Sequence, residues 1–175
     1  MREKKIRGVK RKINTMVKRI EDYTLEFPEE FYHDYWHLHL PIAYTFINSS
    51  KTPFKVKKFC IQTLLESAQR LMQNKPNDEG NYRVVVAVTL PEMWNSQIII
   101  FNNDQYFKNF FQRNDQYQKW HLLSEERNLF NEWDIKIPSN LNVLGFQEII
   151  SDVDDYRYEG ELWFIGELHQ WNISN

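Results

Sequence analysis

Three histidines, His33, His37 and His39, fall within seven residues in a string that also holds Phe31, Tyr32, Tyr35 and Trp36. On a helix, His33 and His37 share a face at i and i+4, a spacing that metal-binding helices use. Zinc needs neutral imidazoles and further ligands, which Glu29, Glu30, His121 or His169 would have to supply. The spacing assigns none of these. The same residues also read as histidine rings satisfied within an aromatic packing face, and that reading comes first. No metal, no cofactor and no catalytic residue is expected.

The second candidate is a run of carboxylates. Asp152, Asp154, Asp155, Glu159 and Glu161 lie within ten residues, with Glu167 beyond. On a strand, Glu161, Trp163, Ile165 and Glu167 point one way, and Leu162, Phe164 and Leu168 point into the core. The first set would put an aromatic plane between two carboxylates, and Glu148 on a neighbouring strand would add a third. Such a face can receive a basic protein segment or a cationic ligand. It could also hold magnesium, as metal nucleases do, although the spacing matches no EF-hand loop. Clustered acids are ordinary on a solvated hairpin tip. The order is therefore solvated face, then protein-binding face, then metal catalysis. The expected partner-binding set is Glu148, Asp152, Asp154, Asp155, Glu159, Glu161, Trp163 and Glu167.

Other chemistries lack their motifs. The chain has no Walker pattern, no Gly-x-Gly-x-x-Gly, no His-Glu-x-x-His and no Gly-x-Ser-x-Gly. The one cysteine, Cys60, sits on the apolar side of an expected helix and reads as a buried thiol. A single cysteine permits no internal disulfide, which fits a reducing compartment. No apolar signal core follows the charged N-terminus and no run has the length of a membrane span, so a cytoplasmic protein is expected.

Charge is distributed unevenly. Residues 1–19 hold nine Lys or Arg against one Glu, a balance of +8, and the remainder carries −10. Residues 2–21 place Ile6, Val9, Ile13, Met16, Val17 and Ile20 at helical spacing, with basic residues between them. This predicts a basic amphipathic helix docked by its apolar stripe on an acidic body. Its cations could bind phosphates, but few aromatics interleave them and the acidic body would repel a nucleic acid. Nucleic acid ranks below a protein partner.

The elements that must position these groups follow from periodicity. Residues 22–81 read as mainly helical. Pro28-Glu29-Glu30 opens an aromatic helix that stops before Pro41, and a short helical stretch is expected over Ile42–Ile47. Thr52-Pro53 reads as N-cap and first residue of a long helix reaching Asn74. Residues 82–175 read as sheet-rich. Val84–Leu90 and Ile98–Phe101 are short, β-branched runs without a polar face, the pattern of adjacent central strands, and Val86, Val88 and Ile99 should be buried. Asn103-Asp104 caps a short aromatic helix over Tyr106–Gln112, and Ser124-Glu125-Glu126 caps another reaching Trp133. After a turn at Ile137-Pro138-Ser139-Asn140, Val143–Ile150 and Glu161–Leu168 read as strands, joined by Ser151–Gly160 as a long acidic tip. The fold class is α+β: one domain, 1–175, with an antiparallel sheet of four or more strands packed with helices.

The strings HLHLPIAYTFINSSKTP, LPEMWNSQIIIFNNDQYFKNFF and YEGELWFIGEL resemble an uncharacterised bacterial family, a domain of unknown function. The resemblance covers nearly the whole chain. It implies a single compact bacterial domain and brings no functional residue with it.

The function expected from the residues is non-catalytic binding. An acidic, aromatic-rich surface suits an inhibitor or immunity-type protein that engages a basic partner protein. The alternatives are a metal-dependent hydrolase or nuclease, using His33/His37 or the carboxylates near 152–167, and a protein that sequesters a nucleotide-like ligand.

Overall fold

The structure is a computed structural model. It describes residues 8–31, 34–42, 47, 52–76, 80–93, 96–112, 120–121, 130, 133–153 and 156–167. The elements are α1 (Val9–Glu21), β1 (Tyr35–Leu38), α2 (Phe54–Gln73), β2 (Arg83–Leu90), β3 (Gln97–Phe101), α3 (Asp104–Gln112), β4 (Trp120–His121), β5 (Leu141–Val153) and β6 (Tyr156–Glu167). The strands form one six-stranded sheet in the order β1-β3-β2-β6-β5-β4, and every described pairing is antiparallel. The α+β expectation holds.

The centre of the sheet explains the missing alternation in β2 and β3. Val84, Val86 and Val88 pack with Ile98, Ile100, Trp163 and Ile165 in the main core, which α1 and α2 also enter. Val85 and Ala87 point the other way, into a second cluster with Ile99, Phe101, Phe164 and Phe107 of α3. With both faces covered, an alternating polar residue would have no water to meet. Val86, Val88 and Ile99 are all buried, as expected.

Helix α2 buries Val56, Cys60, Ile61, Leu64, Leu65, Ala68 and Leu71, a stripe at helical spacing. It starts at Phe54, one residue later than expected, and Pro53 occupies the N-cap without a side-chain cap bond. Helix α1 is docked: Met16 and Ile20 are buried and Ile13 packs partly against the main core. Asn103 Oδ1 accepts the Tyr106 N–H at 3.0 Å, the expected cap of α3. Leu141 N–H donates to Pro138 O at 2.9 Å in the turn before β5.

Two expectations are corrected. The aromatic helix after Pro28 is not formed; residues 23–31 are irregular or bent, and Tyr35–Leu38 is the edge strand β1. Aromatic residues suit a pleated surface as well as a helix, and pairing with β3 decides the outcome here. Second, Ser151–Gly160 is not a long tip. The β5–β6 ladder runs on to Val153 and Tyr156, leaving only residues 154–155 between the strands. Among the described residues the 22–81 portion thus holds α2 and the edge strand β1. The expected helix over 124–133 and most of 42–47 lie outside the described residues.

Candidate functional site

The geometry divides the expected acidic set in two. Glu148 stands directly opposite Glu161 in the β5–β6 ladder, so both side chains leave the same face of the sheet. Glu159 lies two residues before Glu161 on that face. These three carboxylates line a groove of about 510 Å³ whose other walls are Leu90, Pro91, Trp133, Ile149 and Gly160. Glu148 and Glu159 are exposed and Glu161 is half-buried.

Each wall is held from elsewhere in the fold. Trp163 Nε1 donates to Glu161 Oε2 at 3.0 Å, which orients that carboxylate from beneath. Lys57 of α2 donates to the carbonyl of Pro91 at 2.8 Å, tying the end of β2 to the helix. Trp133 meets Phe54 edge to face, with ring centroids 4.6 Å apart. One residue on, Asp134 pairs with Lys58 at 2.8 Å, and that bond holds the Asp134 carboxyl below the usual carboxylate range. Gln62 then exchanges two hydrogen bonds with the Lys136 backbone. One face of α2 therefore fixes the 133–136 segment beside the hairpin.

Two further members of the expected set, Trp163 and Glu167, lie away from this groove. Trp163 is not a wet aromatic plane: it is fully buried between Phe146 and Phe130. The alternation of β6 was read correctly, but both of its faces are covered. Glu167 lies six residues from Glu161, at the far end of β6. It accepts hydrogen bonds from Lys75 and from Arg83, so it is an internal ion-pair member. The Asp152 backbone stands opposite that of Arg157 in the β5–β6 ladder. Asp154 and Asp155 lie outside the described residues.

The histidine string is reorganised. His33 lies outside the described residues, and His37 is on a strand, so the i, i+4 helical pair does not form. His37 and His39 instead follow at i, i+2 along the sheet edge. Their rings are near-parallel, with centroids 6.3 Å apart. A ring nitrogen of His37, Nδ1, hydrogen-bonds Gln97 Oε1 at 2.8 Å, and Tyr35 packs edge-on against the same ring. Partial burial, and secondarily the neighbouring His37, hold His39 below its ordinary pKa. Among the described residues no group of three or more His, Cys, Asp or Glu is placed to hold a metal ion. Cys60 is fully buried, and burial pushes its thiol up to about 12, which leaves no thiolate for nucleophilic chemistry.

Two contributors escaped the sequence reading, Trp133 and the Leu90-Pro91 corner. Pro91 was visible as a loop residue and Trp133 as a helix end, but only tertiary packing brings them to Glu148 and Glu161. Among the described residues no helix is long and apolar enough to cross a membrane.

No curated protein and no solved structure matches the chain. A family model does, over residues 17–167, and its span runs from the middle of α1 to the end of β6. The chain thus belongs to the family described as protein of unknown function (DUF3916).

Proposed function

We propose that the protein is a non-catalytic binding protein whose groove beside the β5–β6 hairpin takes a basic segment of a partner protein, as an inhibitor or immunity-type protein would. The observation that supports this is the direct opposition of Glu148 and Glu161, with Glu159 beside them, over a wall formed by Trp133, Leu90 and Pro91. A Lys or Arg side chain laid in the groove can meet these carboxylates with its charged head and rest its apolar stem on the groove wall. An aromatic ring near the cation adds a further attraction. The acidic remainder of the chain raises the encounter rate with a basic partner.

A fluorescein-labelled hexa-arginine peptide tests the reading by anisotropy, against a hexa-serine control. The double variant Glu148→Gln/Glu161→Gln should bind roughly tenfold more weakly at low salt, chiefly through a slower association rate. Equal affinity in wild type and variant, or no binding by the wild type, would falsify the groove as the site.

A further inference from the structure

We propose that the outward face of α1 is a sequence-independent nucleic-acid site that holds backbone phosphates. Lys10, Arg11, Lys12, Lys18 and Arg19 are all exposed. None of them enters an ion pair among the described residues, although the rest of the chain has an excess of acids. The described ion pairs all use cations beyond α1: Lys58, Lys75, Arg83 and Lys108. Docking explains the arrangement. Met16 and Ile20 are buried, which turns Arg11, Thr15 and Lys18 to the opposite side of the helix. Lys10, Arg11, Asn14, Thr15 and Lys18 line one shallow depression there. Arg11 and Lys18 are two turns apart, about 10.5 Å at 1.5 Å per residue.

Three physical points select the occupant. A helix that binds a membrane surface inserts its apolar stripe, and here Met16 and Ile20 of that stripe are buried in the core with Ile13 packed against it. A protein interface draws its affinity from aromatic and apolar anchors at its centre, and the outward residues of α1 include none. A phosphate backbone needs only cations and neutral donors such as Asn14 and Thr15, which are both present. Without aromatics on this face there is no platform for stacking bases, so sequence preference is absent. The −10 balance of the remaining chain confines contact to the helix, so the footprint is small.

The test is anisotropy of a labelled mixed-sequence DNA duplex with the full chain across a potassium chloride series. Three or four neutralised phosphates, at about −0.9 each, give a log–log salt slope of roughly −3 to −4. The variant Lys10→Gln/Arg11→Gln/Lys18→Gln should lose roughly tenfold or more in affinity and flatten the slope. Lys10→Arg/Lys18→Arg should keep both. These positions are exposed, so thermal unfolding should be unchanged in each variant. Glu148→Gln/Glu161→Gln should retain DNA binding, which separates this site from the acidic groove. The proposal is overturned by absence of duplex binding at low salt, or by equal binding in the triple variant. It is also overturned if phosphatidylserine vesicles or polyglutamate show the triple-variant loss while DNA binding does not.

Discussion

Trp163 lies face to face with Phe146, its partner across the β5–β6 ladder, with ring centroids 4.6 Å apart and planes 20° apart. Phe130 meets the same indole nearly edge-on at 5.6 Å. The indole therefore supports Glu161 from within the core rather than offering a surface to a ligand. Trp163→Ala should cost about 3–5 kcal/mol in a urea titration, from lost burial and the cavity left behind. A loss under about 1 kcal/mol would mean that the indole is not packed as described.

Helix α1 is held by burial more than by charge. Ile20 is 2% exposed, and the cations of the helix take no described acid. Ile20→Ala should cost about 2 kcal/mol or more. That cost should be nearly the same at low and at molar salt, because screening acts on charges and leaves apolar contact intact. A penalty that vanishes at high salt would show docking to be electrostatic. Hydrogen exchange gives a second check, with protected amides expected from Ile13 to Ile20.

Glu167 joins the ends of three elements. It accepts from Lys75, which follows α2, and from Arg83 Nη1 at the start of β2 at 3.3 Å. Arg83 Nε also donates to Asp104 Oδ1 at 2.9 Å, at the start of α3. Glu167→Ala should cost about 1–3 kcal/mol, because it leaves two half-buried cations without that partner. Asp104→Asn should cost less, about 1 kcal/mol at most, since its pairs are more open to water. The hydrogen bond from Lys108, followed by that from Arg83, holds the Asp104 carboxyl below its ordinary value of 3.8. Its stabilisation is thus complete above that value and is lost as pH falls below it. The two proteins should converge in stability under strongly acid conditions.

His39 gives a pH dependence nearer neutrality. Its folded-state pKa is lowered from 6.5, by burial first and by His37 second. In that window the unfolded chain binds more protons than the folded one, so stability rises with pH. The contribution is fully present above 6.5 and is lost as pH falls through the folded value. Denaturant midpoints across this range should slope upward with pH in the wild type and more gently in His39→Gln. Equal slopes would remove His39 as the cause.

The long periodic segments were legible from the start. β2 and β3 carry short, β-branched runs too apolar for a wet face, the pattern that favours central strands over a buried helix. α2, with Val56, Cys60, Leu64, Ala68 and Leu71 on one stripe, could only be a helix lying on a core. The α+β class and the docked α1 follow from the same patterns, because hydrophobic periodicity reports which side of an element meets water.

The site was only partly legible, and the failures have physical causes. Tyr35–Leu38 has the aromatic content of either a helix or a strand. Its state was decided by the open edge of β3, a partner 60 residues away in the chain for the His37–Gln97 bond. The alternation of β6 holds, but the side expected to be wet carries Trp163 and Ile165 into the main core, and the burial of Trp163 depends on Phe130 and Phe146, which no local pattern connects to it. Sequence alone placed the carboxylates on one strand face. Tertiary structure separated Glu167, drawn to Lys75 and Arg83, from Glu161, and joined Glu161 to Glu148, Trp133 and Pro91. Local periodicity fixes the direction in which a side chain leaves its own element. What it meets there depends on contacts between residues far apart in the chain, whose closure is settled by the packing of the whole fold.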